Sequence, residues 1–300
     1  MNNLSHNRNI GFLFVLLTSL LYGLMPAVSQ RAYAVGVTVE TLLTGRYLIG
    51  GSLIWIYILL TKKNFKVGRG NFGFLMLVSV DLFGCAFFMN SSYAFIPGAV
   101  ASLLVFCYII IVNAVEMISG RERVYPMRIL CLVLTVIGMV AVVYSPVGSV
   151  GLSIKGILFA LSSGVLYAVW TICMGAKRLS GISSEVTMGY LIIVPLILNA
   201  LTCISSGSPL LPQTPEQWSY IGYLGLSAGF IAPVAFTAAI KRIGASTASM
   251  INTSEPVFAY FAGILLMSDK LSWNATLGGV VIVAGLLLLN ITERRRDNHL

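Results

Sequence analysis

GFLFVLLTSLLY (residues 11–22) and GILFALSSGVLY (residues 156–167) are two readings of one segment. Six of their twelve positions are identical: Gly11/Gly156, Leu13/Leu158, Phe14/Phe159, Leu16/Leu161, Leu21/Leu166 and Tyr22/Tyr167. Leucine matches are cheap between apolar segments, but the Gly, Phe and Tyr matches are not. The register holds beyond this segment. At an offset of 146, Gly98-Ala99 meets Gly244-Ala245, and at 147, Arg123-Val124 meets Lys270-Leu271 and Gly138 meets Gly285. An offset that drifts by two residues across half a chain points to an internal duplication.

The duplicated unit is built for a membrane. The chain has 300 residues, 57% hydrophobic and 10% charged, with mean hydropathy +0.90. A soluble globular chain carries about 25% charged residues. This one has too little polar surface to cover a soluble core. Spanning the hydrocarbon takes about 20 mostly apolar residues per helix. Ten such stretches are predicted: 9–30, 40–61, 71–94, 98–119, 126–146, 154–177, 184–205, 216–240, 244–267 and 272–292. The first reads as a span and not as a cleaved leader, because its loss would destroy the repeat. The units are therefore 9–146 and 154–292, with short tails 1–8 and 293–300. Five spans per unit is an odd number, so the second unit is expected to lie upside down relative to the first.

Charge supports that threading. With the N-terminus inside, 15 of the 19 basic residues fall on the inner side. They include Lys62, Lys63, Lys177, Arg178, Lys241 and Arg242. Arg31, Lys155 and Lys270 fall outside, and Arg46 lies within a span. This is the positive-inside pattern, and it places both termini in the cytoplasm. The net charge of +9 is thereby accounted for by topology and by attraction to anionic lipid, with no call for nucleic acid. The five cysteines all fall in predicted spans and read as small apolar fillers. The two histidines, His6 and His299, lie in the tails, so no metal or cofactor is expected.

Polar groups at membrane depth are the candidate site. An ionisable residue at the centre of a span costs roughly 2.5–3.5 kcal/mol on insertion scales. Glu255, mid-depth in the ninth span, is too short to reach water. Asn252 lies one turn away, and Pro256 is expected to leave the Asn252 carbonyl without its helical partner. That cluster fits a site for a substrate amine or a coupling proton. It also fits a neutral acid bonded to a neighbouring helix. Asp81 in the third span is either a second carboxylate of the same cavity or a packing hydrogen bond. Arg46 could snorkel outward, pair with Asp81 or Glu255, or bind a substrate carboxylate. Glu116 reads as one end of an interfacial ion pair with Arg121 or Arg123. Tyr22 and Tyr167 match across the repeat, and Trp170 lies one turn past Tyr167. These aromatics are either a wall for an apolar or cationic solute or ordinary helix packing. Met25 and Asn90 are further lining candidates. Pro26 is expected to interrupt the first span by freeing the Tyr22 carbonyl; in the eighth, Gly225-xxx-Gly229 fits close helix packing, with a hinge near Gly229 and Pro233 as the alternative.

Over nearly its full length the chain resembles EamA-type members of the drug/metabolite transporter superfamily. The resemblance is carried by the paired units and the motifs that end them. In the second unit these are Gly244 to Ser249, Glu255-Pro256-Val257-Phe258, Gly263 to Lys270, Gly278-Gly279 and Gly285. The first unit has Gly98 to Ser102, Gly120-Arg121-Glu122-Arg123 and Gly138, but places Ile110 opposite Pro256. The resemblance implies an all-α bundle of ten transmembrane helices with a central cavity. It implies a multi-pass protein of the bacterial inner membrane that moves small organic solutes or metabolites, often outward.

Other classes have less to stand on. An ATP-driven pump would need a GxxxxGK[ST] loop, and none occurs. A membrane enzyme could in principle use Asp81 with Glu255, but neither HExxH nor GxSxG is present. A passive channel or uniporter would want a continuous polar path, whereas the polar groups cluster near the midplane. The expected partners are a small-molecule substrate and the lipid bilayer. Monomer and homodimer both fit.

Overall fold

The computed structural model describes residues 2–120, 126–143 and 153–262, with shorter pieces at 265–266, 273, 276–281, 283–285 and 288. All regular structure among them is helical. Helices are the economical answer to this composition, because every backbone polar group is satisfied within its own segment.

The helices are α1 (Asn2–Ala34), α2 (Val39–Leu60), α3 (Arg69–Ser92), α4 (Gly98–Val105), α5 (Cys107–Ile118), α6 (Pro126–Val143) and α7 (Ile154–Met174). Then come α8 (Ser184–Leu191), α9 (Ile193–Ser206), α10 (Pro215–Leu226), α11 (Ala232–Ile243), α12 (Ala245–Ile251) and α13 (Glu255–Ala262). Local signals set their starts. Thr38, Ser183 and Thr214 each accept a backbone N–H of the first turn of α2, α8 and α10. Gly207 closes α9 in the left-handed region at φ 68°.

Seven segments are long and apolar enough to cross a membrane: Asn9–Ala34, Val39–Leu60, Arg69–Ser92, Val100–Ile118, Ile154–Met174, Ser184–Ser206 and Pro215–Ile243. They coincide with predicted spans one to four and six to eight. The fifth is represented by α6, and the ninth by α12 and α13. Most of the tenth lies outside the described residues, as do Arg121, Arg123 and Lys270.

Four spans are broken near mid-depth. The fourth breaks at Phe106 between α4 and α5, the seventh at Ile192 between α8 and α9. The eighth contains a π-helical turn over Ser227–Ile231, and the ninth a 3-10 turn over Asn252–Ser254. Two expectations change here. The first span does not break at Pro26, since α1 runs through it. The Asn252 carbonyl is not left open, because the Glu255 N–H closes the 3-10 turn onto it. A break without a prior expectation has a readable cause. Pro195 offers no N–H to the Leu191 carbonyl, and the Ser79 hydroxyl donates to that oxygen at 2.5 Å from α3.

The two halves of the sequence interleave. α1 packs on α11 and α13 of the second half, while α7 packs on α3, α4 and α5 of the first. The aligned glycines do matching work. A Cβ on Gly11 would fall 2.7 Å from the Ile243 side chain, and one on Gly156 would fall 2.8 Å from that of Ile96. Those isoleucines occupy near-equivalent places, just before Gly244 and Pro97-Gly98.

Basic loops gather at one end of the bundle. Lys63 pairs with Glu185 at 2.7 Å, Arg178 reaches Asn71 and the Gly70 carbonyl, and Lys241 reaches the Ile182 carbonyl. At the other end Gln217 donates to the Val35 carbonyl. Cysteines introduced at Lys155 and at Glu216 are therefore expected to react with an impermeant reagent from outside intact cells. Protection of either one until the membrane is opened would refute the ten-span threading.

Candidate functional site

One cavity lies where the broken spans meet. It holds about 80 Å³ of space for the centres of water-sized spheres, which is room for several waters. Each helix contributes a short stripe. α3 supplies Leu82, Cys85, Ala86, Met89 and Asn90, and α7 supplies Ser163, Tyr167 and Trp170. These are i, i+3, i+4 and i+7 spacings, so one helix face lines the cavity. α1 adds Tyr22 and Met25, α2 adds Arg46 and Tyr47, and α13 adds Glu255. Each of the four breaks has a lining residue at or next to it: Val105, Ile192, Ala228 with Gly229, and Glu255. Irregular backbone at membrane depth is tolerated where it lines a cavity or is buried in protein.

Glu255 is 7% exposed. Its Oε2 accepts from the Asn252 side-chain amide at 2.9 Å. Asn252 is fully buried behind it and does not line the cavity. Its other contacts orient it. The Ser19 hydroxyl donates to Oδ1 at 2.9 Å, and Nδ2 also points to the Tyr108 hydroxyl at 3.4 Å. Asn252 thus aims the acid and does not itself face the space. Gly23 makes this placement possible. A Cβ there would fall 2.5 Å from Phe258 and 2.9 Å from the Glu255 carbonyl, so only glycine lets α1 and α13 approach so closely.

Arg46 is also 7% exposed, which rules out snorkelling. Among the described residues it makes no ion pair, either with Glu255 or with Asp81. Its Nη1 donates to the Met25 sulfur at 3.3 Å, a weak acceptor, and its guanidinium lies 5.1 Å from the Tyr47 ring centroid. Its Nε is buried without a hydrogen-bond partner. Gly229 clears room for the arginine. A Cβ there would fall 2.7 Å from the Arg46 carbonyl and 3.4 Å from its side-chain stem.

The remaining walls are aromatic and incompletely hydrogen-bonded. Tyr167 and Trp170 stack with centroids 5.6 Å apart, and both stack on Phe236 at 6.1 and 6.0 Å. Tyr108 approaches Tyr167 to 4.6 Å. The Tyr167 hydroxyl, the Trp170 Nε1 and the Asn90 Oδ1 are buried with no partner. Buried polar groups are normally paired, so these three and the Arg46 Nε leave unused hydrogen-bonding capacity around the cavity.

Of the nine residues singled out from sequence, seven line this one cavity: Tyr22, Met25, Arg46, Asn90, Tyr167, Trp170 and Glu255. Asp81 does not. It precedes the Leu82, Cys85, Ala86, Met89 stripe of α3 by one residue, about 100° around the helix. Its Oδ2 is buried without a partner elsewhere. Tyr47 and Met188, which also line it, were not anticipated, and neither were Phe236 and Tyr108, which pack on Tyr167 without lining it. Met25 and Trp170 carried an unused signal, since both lie at the 145-residue offset that relates Tyr22 to Tyr167. Glu116 is buried, and the arginines expected to pair with it lie outside the described residues.

Comparison with known proteins agrees with this architecture. Residues 9–144 and 154–291 each match the model of the EamA-like transporter family. An uncharacterized transporter of Clostridium kluyveri is 23% identical over 313 residues, covering 97% of this chain and 96% of its own. An uncharacterized transporter of Archaeoglobus fulgidus is 22% identical over 254 residues, covering 81% and 86%. One crystal structure superposes with a TM-score of 0.71 at 19% identity, covering 96% of this chain and 99% of its own.

Proposed function

The chain belongs to the EamA-like transporter family, and from that premise we propose that it is a secondary carrier of small amphoteric solutes, amino acids being the simplest. That it is a multi-pass membrane transporter follows from the family and from its apolar helices. The finer reading rests on one observation. Arg46 and Glu255 face the same cavity from opposite halves of the chain, and neither neutralises the other.

A zwitterion supplies what both lack. Its carboxylate would meet the guanidinium, whose present acceptor is a thioether, and its ammonium would meet Glu255. The Tyr167 and Trp170 rings, backed by Phe236, would take the side chain. Binding would be charge-assisted at both ends, with each such bond worth about 1.5–3 kcal/mol. In this reading the units 9–146 and 154–292 are inverted and rock about the cavity, exposing it to one side at a time. Both termini face the cytoplasm of a bacterial cell. Placing the cation on α2 and the acid on α13 makes the cavity sensitive to that rocking, because the two ends of the solute are held by different halves.

Counterflow into proteoliposomes tests it. Amino acids are expected to exchange saturably, whereas analogues lacking either the amine or the carboxylate should exchange at least about tenfold less well. Equal exchange of the truncated analogues would overturn the amphoteric reading, and a non-saturating conductance would overturn the carrier.

A further inference from the structure

A second, larger crevice lies at the basic end of the bundle, with about 500 Å³ of space for water-sized spheres. It draws on the same π-helical turn and α11 as the central cavity but takes different residues of them. Pro233 lines the cavity, while Phe230, Ile231 and Val234 line the crevice. The two spaces have no lining residue in common.

Its two ends differ in chemistry. The inner wall is apolar, built from Phe14 and Leu17 of α1 together with Phe230, Ile231 and Val234. The mouth carries Lys63, Lys241 and Arg242, with Glu185 the one acid among the described lining residues, and with Ser180, Ser183 and Ser184 beside them. Lys63 takes up the Glu185 charge at 2.7 Å. Lys241 donates to the Ile182 carbonyl at 2.6 Å and the Thr187 hydroxyl at 2.9 Å, both neutral. Its ammonium has three donors, so one remains for a ligand. Arg242 donates to the Ala238 carbonyl at 2.9 Å and lies over the Phe14 ring at 5.2 Å, where the cationic mouth meets the apolar wall.

The apolar wall also leads outward. Leu17 belongs to a stripe of exposed leucines on α1 with Leu13 and Leu20. Across the opening, Phe230 touches Tyr57 of α2, which is exposed in turn. An opening flanked by exposed apolar side chains faces lipid, and basic pockets between membrane helices suit anionic headgroups.

We propose that this crevice binds one anionic phospholipid. Its phosphate lies between Lys241 and Arg242, and an acyl chain lies along Phe14, Leu17 and Val234. Because Phe14 and Leu17 come from the first half of the chain and Val234, Lys241 and Arg242 from the second, the lipid would bridge the halves at their basic end.

The test is native mass spectrometry of the full-length protein released from nanodiscs of mixed phosphatidylglycerol and phosphatidylcholine. The wild type is expected to retain phosphatidylglycerol preferentially. Val234→Trp, which fills the apolar wall without touching the central cavity, and Lys241→Gln should each lower that retention at least about fivefold, with phosphatidylcholine unchanged. Because Lys241 also braces the Ile182 segment, Val234→Trp decides the matter if the lysine variant misfolds. Equal retention of the two lipids by the wild type, or wild-type retention in Val234→Trp, would overturn the site.

Discussion

Glu255→Gln is expected to flatten the pH dependence of counterflow and to weaken amine-bearing solutes by about 10- to 100-fold. The magnitude follows from losing one charge-assisted contact worth about 1.5–3 kcal/mol, at 1.4 kcal/mol per tenfold. The substitution is nearly isosteric, and Gln can still accept from the Asn252 amide that now holds Oε2 at 2.9 Å. What it cannot do is carry a charge or exchange a proton. The Ser19–Asn252–Tyr108 chain behind it should therefore persist. Comparing Gln with Asn252→Ala separates two roles. Asn252→Ala leaves the acid in place but unaimed, so it should weaken transport while keeping its pH dependence. Unchanged flux and an unchanged pH profile in Glu255→Gln would remove Glu255 from both substrate binding and coupling.

The second large effect is structural and needs no substrate. Gly50 of α2 crosses Gly229 of the π-helical turn with almost no space between them. A Cβ on Gly50 would fall 2.5 Å from the Gly229 carbonyl carbon, 2.6 Å from its oxygen and 2.7 Å from its Cα. All three atoms are backbone, so no side chain can move aside. Gly50→Ala should therefore force α2 away from the turn, at a cost typical of overpacking, about 1–3 kcal/mol or more. Arg46, one turn back on α2, would lose its seat against Gly229. Thermal unfolding in detergent should show a fall of roughly 2–4 °C for each kcal/mol. Gly73→Ala is the internal control. Nothing lies within 4 Å of a Cβ there, and alanine favours a helix over glycine by about 0.5–1 kcal/mol. If Gly50→Ala unfolds no earlier than Gly73→Ala, the close crossing is not real.

Most of the polar residues of the candidate site were legible in sequence because the membrane makes them conspicuous. An acid or arginine inside a span must face protein or water, so Glu255 and Arg46 could be picked out with no knowledge of packing. Tyr22 and Tyr167 were legible because the repeat compares the chain with itself. Asp81 satisfied the same rule and still lies outside the cavity. Depth follows from position along a span, but the face of the helix depends on what packs against it, and one residue is about 100° of rotation. Tyr47 and Met188 went unread for the complementary reason. In an almost uniformly apolar helix, a lining residue looks like any other.

The sequence by itself determined that the chain is a helical membrane protein made from two copies of one unit. Length, charge and register are properties of the chain, and no contact is needed to read them. Only the tertiary structure decided how the copies engage. α1 crosses to α11 and α13, and α7 crosses to α3, α4 and α5, so the cavity is built from both halves at once. It also decided that Arg46 and Glu255 are not partners, and that the breaks at Phe106, Ile192, Ser227–Ile231 and Asn252–Ser254 border one space. These outcomes depend on ångström-scale clearances, such as Gly23 against Phe258 and Gly50 against Gly229. A glycine in sequence marks where two helices can meet, but only the packed bundle shows which helix arrives.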